Sequence, residues 1–368
     1  MRLRLETMAH GGAAVARHDG KVVFVQGGVA GDEVEVGLIE EKKSFDVGLV
    51  TEVVEPSADR ISPSCPWFAT CGGCQWQYMT LEAQHRWKRE TIIEQLRRIG
   101  RVADPVVHET VATGDGYGYR NRLDVGVVNG LPAFREAGSH RLVGVDACLL
   151  AAPSLARLLD SVQPIRNARQ LVLRVGVRTG ESLVVSKHRS GRLHEIVAGQ
   201  RFRISGRAFF QVNTAGADAL VNVVGEALAP SGDDVLLDGY AGGGLFSATV
   251  GRAAGAVVAV ESDETALSDL AVNVSRARVV AVPFENSEPG RADLAVVDPP
   301  RTGLGPDAVS TLLRAGPRRI AYVSCDPASF SRDVRLLDDA GYRLVAVTPV
   351  DMFPQTFHIE VVGVLEKR

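Results

Sequence analysis

The sequence predicts an α/β protein with a Rossmann-like sheet in its second half, preceded by a small β-barrel and a central α+β domain. Its 368 residues are more than one ordinary core fills. The first 55 or so alternate short β-rich runs with glycine turns. From about residue 205, strands alternate with helices, which implies a parallel sheet. We therefore expect three domains, at residues 1–55, 56–204 and 205–368.

The first domain carries several separate strand signals. Its β-rich runs are Val22–Val25, Val34–Val36, Leu38-Ile39, Val47–Val50 and Val53-Val54. Short strands at this spacing, with turns such as Gly27-Gly28 between them, suggest a small barrel. Pro56 and the polar residues after it break the pattern and place a domain boundary there.

The central region contains one well-marked helix. Thr80 suits an N-cap and Gly100 suits the position beyond the C-terminus of a helix over 81–99. This helix is the most basic stretch of the chain, and charge alone allows a solvated face and an RNA-facing one equally. Residues 105–200 then read as a mixed domain, with a helical stretch near 152–162. Its strand-like runs include Leu123–Val128, Leu171–Val175 and Ser182–Val185.

Seven strands with intervening helices are expected in the third domain. They are Val235–Asp238, Ala256–Glu261, Val279–Val282, Leu294–Asp298, Ile320–Ser324, Leu344–Thr348 and Ile359–Leu365. Such a set suits a Rossmann-like sheet that ends in an antiparallel hairpin.

Composition and charge exclude several classes of protein. Hydrophobic residues make up 45% of the chain, yet no run approaches the roughly 18 apolar residues of a membrane span. The first residues lack the apolar core of a signal peptide. We expect a cytoplasmic protein that contacts no membrane, and a monomer. The formal net charge of −3 is not the usual basic footprint of nucleic-acid binding, so any nucleic-acid site must be a local patch.

A glycine-rich loop, Asp238-Gly-Tyr-Ala-Gly-Gly-Gly244, follows the first strand of the predicted sheet. Its backbone can approach a ligand at the carboxyl end of the sheet. Glu261 ends the next strand, where a carboxylate can accept both ribose hydroxyls of a nucleoside cofactor. An ordinary β-to-α turn has the same appearance. The two features together leave NAD and S-adenosylmethionine equally open.

Asp298-Pro-Pro-Arg301 favours S-adenosylmethionine over NAD. In methyltransferases that act on flat nucleobases or amides, an acidic or amide residue followed by two prolines lines the target pocket. A proline-ended strand is the plain alternative.

Cys325 stands in Ser324-Cys-Asp-Pro327, directly after an apolar run. The other four cysteines all lie in the first half of the chain, so this thiol is free to act as a nucleophile, although a small core residue is the alternative. Carbon 5 of a pyrimidine is a poor nucleophile until a thiolate adds at carbon 6. A base must later remove the proton on carbon 5. Glu360 is the natural candidate, and His358 is the rival base.

Together these motifs closely resemble those of the S-adenosylmethionine-dependent RNA (uracil-5-)-methyltransferases, over nearly the whole chain. The motifs are Ser324-Cys-Asp-Pro327, Asp298-Pro-Pro-Arg301, Asp351-Met-Phe-Pro354 with His358 and Glu360, Phe210-Gln-Val-Asn213, and Tyr119-Arg-Asn-Arg122. The resemblance implies a methyltransferase-type Rossmann domain that methylates carbon 5 of a specific uridine in RNA.

The same resemblance implies a role for individual residues. Cys325 falls on the family's nucleophile, and Glu360 falls on its general base. The implied cofactor contacts are Gln211, Tyr240, Glu261 and Asp298. Where relatives have Asn shortly after the glycine loop this chain has Leu245, and Glu285 is a weak candidate for the acidic residue near the adenine.

Four early cysteines form a separate set, Cys65, Cys71, Cys74 and Cys148. Four thiolates suit a structural zinc or an iron–sulfur cluster, and spacing alone favours zinc. Family members with this pattern carry a [4Fe–4S] cluster, and the resemblance implies one here, held by all four cysteines. It also implies that the first domain is a TRAM domain, which is an RNA-binding barrel of the oligonucleotide-binding type.

The identity of the RNA stays open at this stage. The cluster and the TRAM-type barrel favour 23S ribosomal RNA, and the T-loop of transfer RNA is the alternative. Two other functions compete: a methyltransferase directed at a base amino group, which would not need Cys325, and a non-catalytic RNA-binding iron–sulfur protein.

Overall fold

The computed structural model describes all 368 residues. A six-stranded sheet forms the first domain, with β1 (Arg2–Arg4), β2 (Thr7–Met8), β3 (Ala14–His18), β4 (Lys21–Gln26), β5 (Glu33–Glu41) and β6 (Phe45–Glu55) in the order β1-β5-β6-β4-β3-β2. It curls around a core that includes Val23, Val25 and Val34. The two runs expected within 34–39 form the single strand β5, and the two expected within 47–54 form the single strand β6. They look separate in the sequence because register shifts in the β5–β6 pair interrupt the apolar alternation.

The helix α1 (Leu81–Arg98) follows this sheet. As expected, Thr80 is its N-cap and accepts a hydrogen bond from the backbone N–H of Ala83. Its apolar side chains Ile92 and Leu96 are buried in the core of the third domain. Lys88, one of its basic residues, is only 1% exposed. The basic stretch is therefore not a single solvated or RNA-facing face.

The central region is built on a five-stranded antiparallel sheet in the order β11-β10-β7-β8-β9. Its elements are β7 (Arg122–Val128), β8 (Leu131–Arg135), β9 (Leu142–Val143), α2 (Pro153–Ser161), β10 (Gln170–Val175) and β11 (Ser182–Val185). A separate hairpin of β12 (Arg192–Val197) and β13 (Gln200–Ser205) and the helix α3 (Thr214–Leu228) lead into the third domain. The sequence analysis did not place this hairpin or α3.

The third domain is a seven-stranded sheet with helices. Its elements are β14 (Val235–Gly239), α4 (Leu245–Ala248), β15 (Ala256–Val260), α5 (Glu264–Asn273), β16 (Ala277–Val280), β17 (Leu294–Val297), α6 (Gly305–Ala315), β18 (Arg319–Ser324), α7 (Pro327–Asp339), β19 (Tyr342–Val350) and β20 (Glu360–Lys367). Two short 3₁₀ helices lie at Val250–Ala253 and Phe284–Asn286. All seven expected strands are present, with β16 displaced toward the N-terminus by two residues.

The strand order of this sheet is β16-β15-β14-β17-β18-β20-β19. The first five strands are parallel, and β20 runs antiparallel to both neighbours. Successive residues of β17 alternate between the cores on the two faces, with Leu294 and Val296 on one and Ala295 and Val297 on the other. The fold class predicted from the sequence is confirmed. No helix is both long enough and apolar enough to span a membrane.

Candidate active site

The predicted site residues follow the carboxyl ends of neighbouring parallel strands. Tyr240 follows β14, Glu261 follows β15, Asp298 follows β17 and Cys325 follows β18. These four strands are adjacent in the sheet, and the strand order reverses between β14 and β17. In open α/β sheets this edge, at this reversal, forms the ligand-binding crevice. The topology thus brings four separated positions to one crevice.

Glu360 reaches the same edge because β20 runs in the opposite direction. Ser324 of β18 pairs with Val361 of β20 in the antiparallel register. The next residue after β18 is Cys325, and the residue opposite it is Glu360. Glu360 is 4% exposed, whereas Cys325 is partly exposed. A thiol and a carboxylate therefore face each other where the sheet opens.

The electrostatics of this pair are unusual. The pKa of Cys325 is raised to about 11, chiefly by burial and then by the charges of Glu360 and Asp298, while Arg301 opposes the shift. Burial also raises the pKa of Glu360 well above its usual range, with the charge of Asp298 as the second cause and Arg301 opposing both. Raised carboxylate pKa values are typical of general acids and bases. Arg301, which the sequence analysis quoted only as part of a motif, thus favours the ionised form of both groups.

His358 is less suited to act as the base. Burial lowers its pKa to about 4, helped by the positive charges of Arg301, Lys88 and Arg120. Its ring lies between two aromatic rings, with centroid distances of 5.8 Å to Phe353 and 4.6 Å to Phe357. A neutral, packed imidazole has less affinity for a proton than a carboxylate with a raised pKa. The geometry favours Glu360.

The glycine-rich loop is fixed by the buried carboxylate of Asp238. Its Oδ2 accepts hydrogen bonds from the backbone N–H of Ser247 at 2.8 Å and from its hydroxyl at 2.6 Å. Burial raises the pKa of Asp238 to about 7. The loop also contains Tyr240, whose φ of 62° is left-handed and whose ring packs on Phe284 at 5.0 Å. Leu245 is buried in the core instead of facing the crevice as a polar side chain would.

Glu261 is held by backbone N–H groups around it. Its Oε2 accepts from Gly242 at 2.7 Å, and its Oε1 accepts from Ser262 at 2.6 Å and Asp263 at 2.7 Å. A carboxylate offers about four lone-pair sites, so it retains capacity for one more donor. Its position beside the loop suits a ribose hydroxyl. Glu285 is exposed, and its charge adds to the effect of burial in raising the pKa of Tyr240.

Gln211 is positioned from the central domain. The side-chain amide of Asn121, in the Tyr119–Arg122 motif, donates to the carbonyl oxygen of Gln211 at 3.0 Å. Asn213 caps α3 by accepting from the N–H of Gly216. Beside them, Phe209 is 68% exposed, an unusual setting for an aromatic ring. The sequence analysis did not single out Phe209, and its only signal was its position directly before the Phe210–Asn213 motif.

The loop between β19 and β20 is clamped to the rest of the protein. Lys88 Nζ lies 2.6 Å from Asp351 Oδ1 and donates to the carbonyl of Phe353 at 3.0 Å. Gln355, with a left-handed φ of 67°, exchanges hydrogen bonds with the side chain of Gln84. Because this loop leads directly into Glu360, these contacts fix the position of the carboxylate.

The four early cysteines line one cavity of about 870 Å³ in the central region. None forms a disulfide. Burial raises the pKa of Cys74 to about 12 and also raises those of Cys71 and Cys148, and the charges of other cysteines of the set add to each. No three His, Cys, Asp or Glu side chains lie close enough together to hold a single metal ion. The cavity gathers the four thiols without closing them around one ion.

Comparison with known proteins identifies the family. Residues 291–368 match the family described as tRNA (Uracil-5-)-methyltransferase. An uncharacterized RNA methyltransferase of Gloeobacter violaceus is 33% identical over an alignment that covers 99% of this chain and 95% of that protein. The chain belongs to the S-adenosylmethionine-dependent RNA (uracil-5-)-methyltransferase family. Another uncharacterized RNA methyltransferase, from Halalkalibacterium halodurans, is 30% identical to this methyltransferase over 100% of the chain and 96% of its own length.

A solved structure agrees with this assignment. It is the tRNA (uracil-54, C5)-methyltransferase of Pyrococcus abyssi in complex with S-adenosyl-L-homocysteine. It matches the methyltransferase with a TM-score of 0.79 and 26% identity, over 99% of this chain and 100% of the other. The choice between NAD and S-adenosylmethionine is thereby resolved in favour of the methyl donor.

Proposed function

We propose that this methyltransferase adds a methyl group to carbon 5 of a specific uridine in structured RNA, through a covalent bond between Cys325 and carbon 6 of the base. The observation that supports this most is the opposed placement of Cys325 and Glu360 at the edge of the cofactor crevice. A methyltransferase directed at an amino group needs neither a thiol nor a buried base at that position. This is the reason to prefer carbon 5.

The steps follow from the chemistry of these residues. The Cys325 thiolate forms a bond to carbon 6, and the electron pair of the 5,6 double bond moves into an enolate. Carbon 5 would then take up the methyl group of bound S-adenosylmethionine, whose bond between sulfur and methyl carbon breaks to leave S-adenosyl-L-homocysteine. Glu360 then removes the proton from carbon 5, the enolate re-forms, and the bond between sulfur and carbon 6 breaks. Arg301 assists by favouring the ionised forms of Cys325 and Glu360.

Four residues are proposed to hold the methyl donor: Gln211, Tyr240, Glu261 and Asp298. Glu261 has a free lone-pair site for the ribose, and the Tyr240 ring beside Phe284 offers an aromatic wall. Asp298, between this crevice and Cys325, separates the donor from the target base. The target uridine must leave its stack so that the thiolate reaches the ring face. We propose that the exposed ring of Phe209 supports it by stacking.

Two RNA substrates are proposed, and each rests on a separate observation. The set of four cysteines, with the TRAM-type barrel that the sequence resemblance implies for the N-terminal sheet, favours a uridine in 23S ribosomal RNA. The likeness to a tRNA (uracil-54, C5)-methyltransferase favours the T-loop of transfer RNA. Mapping of 5-methyluridine by mass spectrometry, in cells with and without the gene, distinguishes the two because the lost position lies in one RNA or the other.

We further propose that Cys65, Cys71, Cys74 and Cys148 hold a [4Fe–4S] cluster. All four line one cavity, and none is used in a disulfide. Their mutual repulsion as thiolates would be relieved by iron, and a four-iron cluster spans more space than the single ion for which they are too far apart. Bound there, the cluster would cross-link the segment before α1 to the loop between β9 and α2. Methylation by this route needs no electron, so we propose that the cluster has a structural or RNA-orienting role and not a redox one.

Release of tritium from RNA labelled at carbon 5 of uracil tests the reaction, because only substitution at that carbon displaces the label. Total RNA from cells that lack the gene is the substrate. We expect release by the wild-type protein and none by Cys325→Ala, and a covalent adduct with 5-fluorouridine RNA for the wild type alone. An active Cys325→Ala variant, or methylation without tritium release, would refute the proposal in favour of an amino-directed enzyme.

A further inference from the structure

A turn of the N-terminal barrel, the name given to the curled sheet of β1–β6, lies against both catalytic segments of the third domain. The turn spans Ala9–Ala13, between β2 and β3, and is closed by hydrogen bonds from Ala9 N–H to Ala13 O at 2.8 Å and from Gly12 N–H to Ala9 O at 3.0 Å. On one side His10 faces Asp326, and on the other Gly12 faces Phe357. These two partners are the residue after the nucleophile and the residue before His358.

The first contact reaches the nucleophile segment. His10 Nε2 lies 3.4 Å from Asp326 Oδ2. The other oxygen, Oδ1, accepts the backbone N–H of Ser329 at 2.7 Å and so caps α7. One carboxylate thus ties the barrel to the start of α7, and Cys325 is the residue immediately before it. The hydrogen bond from His10 is the main reason why the pKa of Asp326 is about 2.

The second contact reaches the base segment. Gly12 is buried with a φ of +89°, and a Cβ placed there would lie 2.7 Å from Phe357 Cδ1. No larger residue fits without moving that ring. Phe357 packs in turn on His358, two residues before Glu360. The indole N–H of Trp76, a fully buried residue, donates to the carbonyl of Gly12 at 3.0 Å and holds the turn in place.

We propose that two residues of this turn act in the active site: His10 is a positioning residue that sets the nucleophile segment through Asp326, and Gly12 is the surface that sets the base segment through Phe357. The barrel then serves the chemical step as well as RNA binding. A shift of about 1 Å in either segment would separate Cys325 and Glu360 from the uracil ring, at a cost of about a hundredfold in rate. This inference rests on the proposed function, since it assumes that Cys325 and Glu360 react with the base.

The chain supplies a matched control for each contact. His18 lies on the same barrel and faces only its neighbour Asp19, at 3.6 Å. Gly11 has a φ of +94°, so Gly11→Ala strains the backbone as Gly12→Ala does, yet a Cβ there meets nothing within 4 Å. Each pair, His10→Ala with His18→Ala and Gly12→Ala with Gly11→Ala, makes the same substitution. Only the first member of each pair removes or disturbs a contact with a catalytic segment.

The experiment measures kcat and the KM for RNA by tritium release, and the rate of covalent bond formation with 5-fluorouridine RNA in a single turnover. We expect His10→Ala and Gly12→Ala to lower kcat and the bond-forming rate by about tenfold to a hundredfold with little change in KM. His18→Ala and Gly11→Ala, the matched controls, should each keep kcat within about twofold of the wild-type value. His10→Gln, whose amide can donate to Asp326, should recover most of the rate.

A double-mutant cycle tests whether His10 acts through Asp326. In an Asp326→Asn background, His10→Ala should cause little further loss, because its partner is already altered. Equal kcat values for His10→Ala and His18→Ala would overturn the inference. So would a rise in KM at unchanged kcat, which would make His10 an RNA contact. An inactive wild-type protein would instead refute the proposed function, so the two failures are distinguishable.

Discussion

Lys88 Nζ lies 2.6 Å from Asp351 Oδ1, and both side chains are almost completely buried although 263 residues separate them in the sequence. Burial lowers the pKa of Lys88. Burial alone would raise the pKa of Asp351, but Lys88 and His85 outweigh this effect, and the pKa of Asp351 is lowered. His85 Nε2 approaches the other carboxylate oxygen at 2.8 Å. The pair joins α1 to the loop that precedes Glu360, the proposed base.

Loss of the lysine should therefore destabilise the fold strongly. Lys88→Met preserves the side-chain volume but leaves Asp351 buried with only His85 beside it. Removal of one partner of a buried ion pair costs about 3 to 5 kcal/mol. The control is Lys42→Met, which removes an exposed partner of Glu40 and should change stability little. Urea denaturation of the two variants measures their free energies of unfolding. Equal stability of the two variants would contradict the role of this pair.

Replacement of the base should separate the two halves of the reaction. Glu360→Gln removes the proton acceptor and leaves Cys325 in place, so the covalent adduct with natural RNA should accumulate while turnover falls by about 10² to 10⁴. Denaturing gel electrophoresis with radiolabelled RNA detects the adduct. Glu366→Gln is the control on the same strand, because Glu366 pairs with Arg319 far from the crevice. Rapid turnover by Glu360→Gln would shift the role to His358.

The sequence predicted those features whose signal is local. Four of the proposed cofactor or catalytic residues directly follow a strand, so the strand predictions also placed Tyr240, Glu261, Asp298 and Cys325 at one edge of the sheet. The N-cap of α1 is equally local, since it depends on Thr80 and the next three residues. The signal for α3 was also present, in the N-cap Asn213 and in Leu220, Val224 and Leu228 at four-residue spacing, but it was missed.

The contacts that the sequence could not reveal are long-range. Nothing near Lys88 indicates that its partner is Asp351, and the charge of α1 alone suggested a face for solvent or RNA. Nothing near His10 indicates Asp326, more than 300 residues away. Such pairs depend on how three domains pack, which no periodicity encodes. The four cysteines lie between these two cases. Their spacing suggests a common ligand, but only the fold brings Cys148 to the other three.

The pH dependence of turnover should respond in opposite directions to two substitutions. Glu360 must be ionised to accept a proton, so kcat falls as the pH drops through its raised pKa. Asp298→Asn removes a negative charge that raises this pKa, and the acid limb of the profile should move to lower pH. Arg301→Gln removes a positive charge that lowers it, and the limb should move to higher pH. The midpoint of kcat against pH is the measurement, whatever the absolute loss of rate. Shifts in the same direction would exclude Glu360 as the titrating group.

Removal of a cluster cysteine should alter the protein at two places. Cys71→Ser should abolish bound iron and the broad absorbance near about 400 nm of an anaerobic preparation. It should also loosen the catalytic loop, because the backbone N–H groups of Gln75 and Trp76, next to Cys74, both donate to the carbonyl of Gln355. Faster amide hydrogen exchange at these two residues would report this effect independently of activity.

Cys325→Ser is the control and should keep its iron, its colour and the slow exchange while losing all methylation. A colourless wild-type protein with one equivalent of zinc would overturn the assignment of the cluster. If the wild-type protein is brown but the Cys71→Ser variant keeps slow exchange at Gln75 and Trp76, the cysteines do not stabilise the catalytic loop.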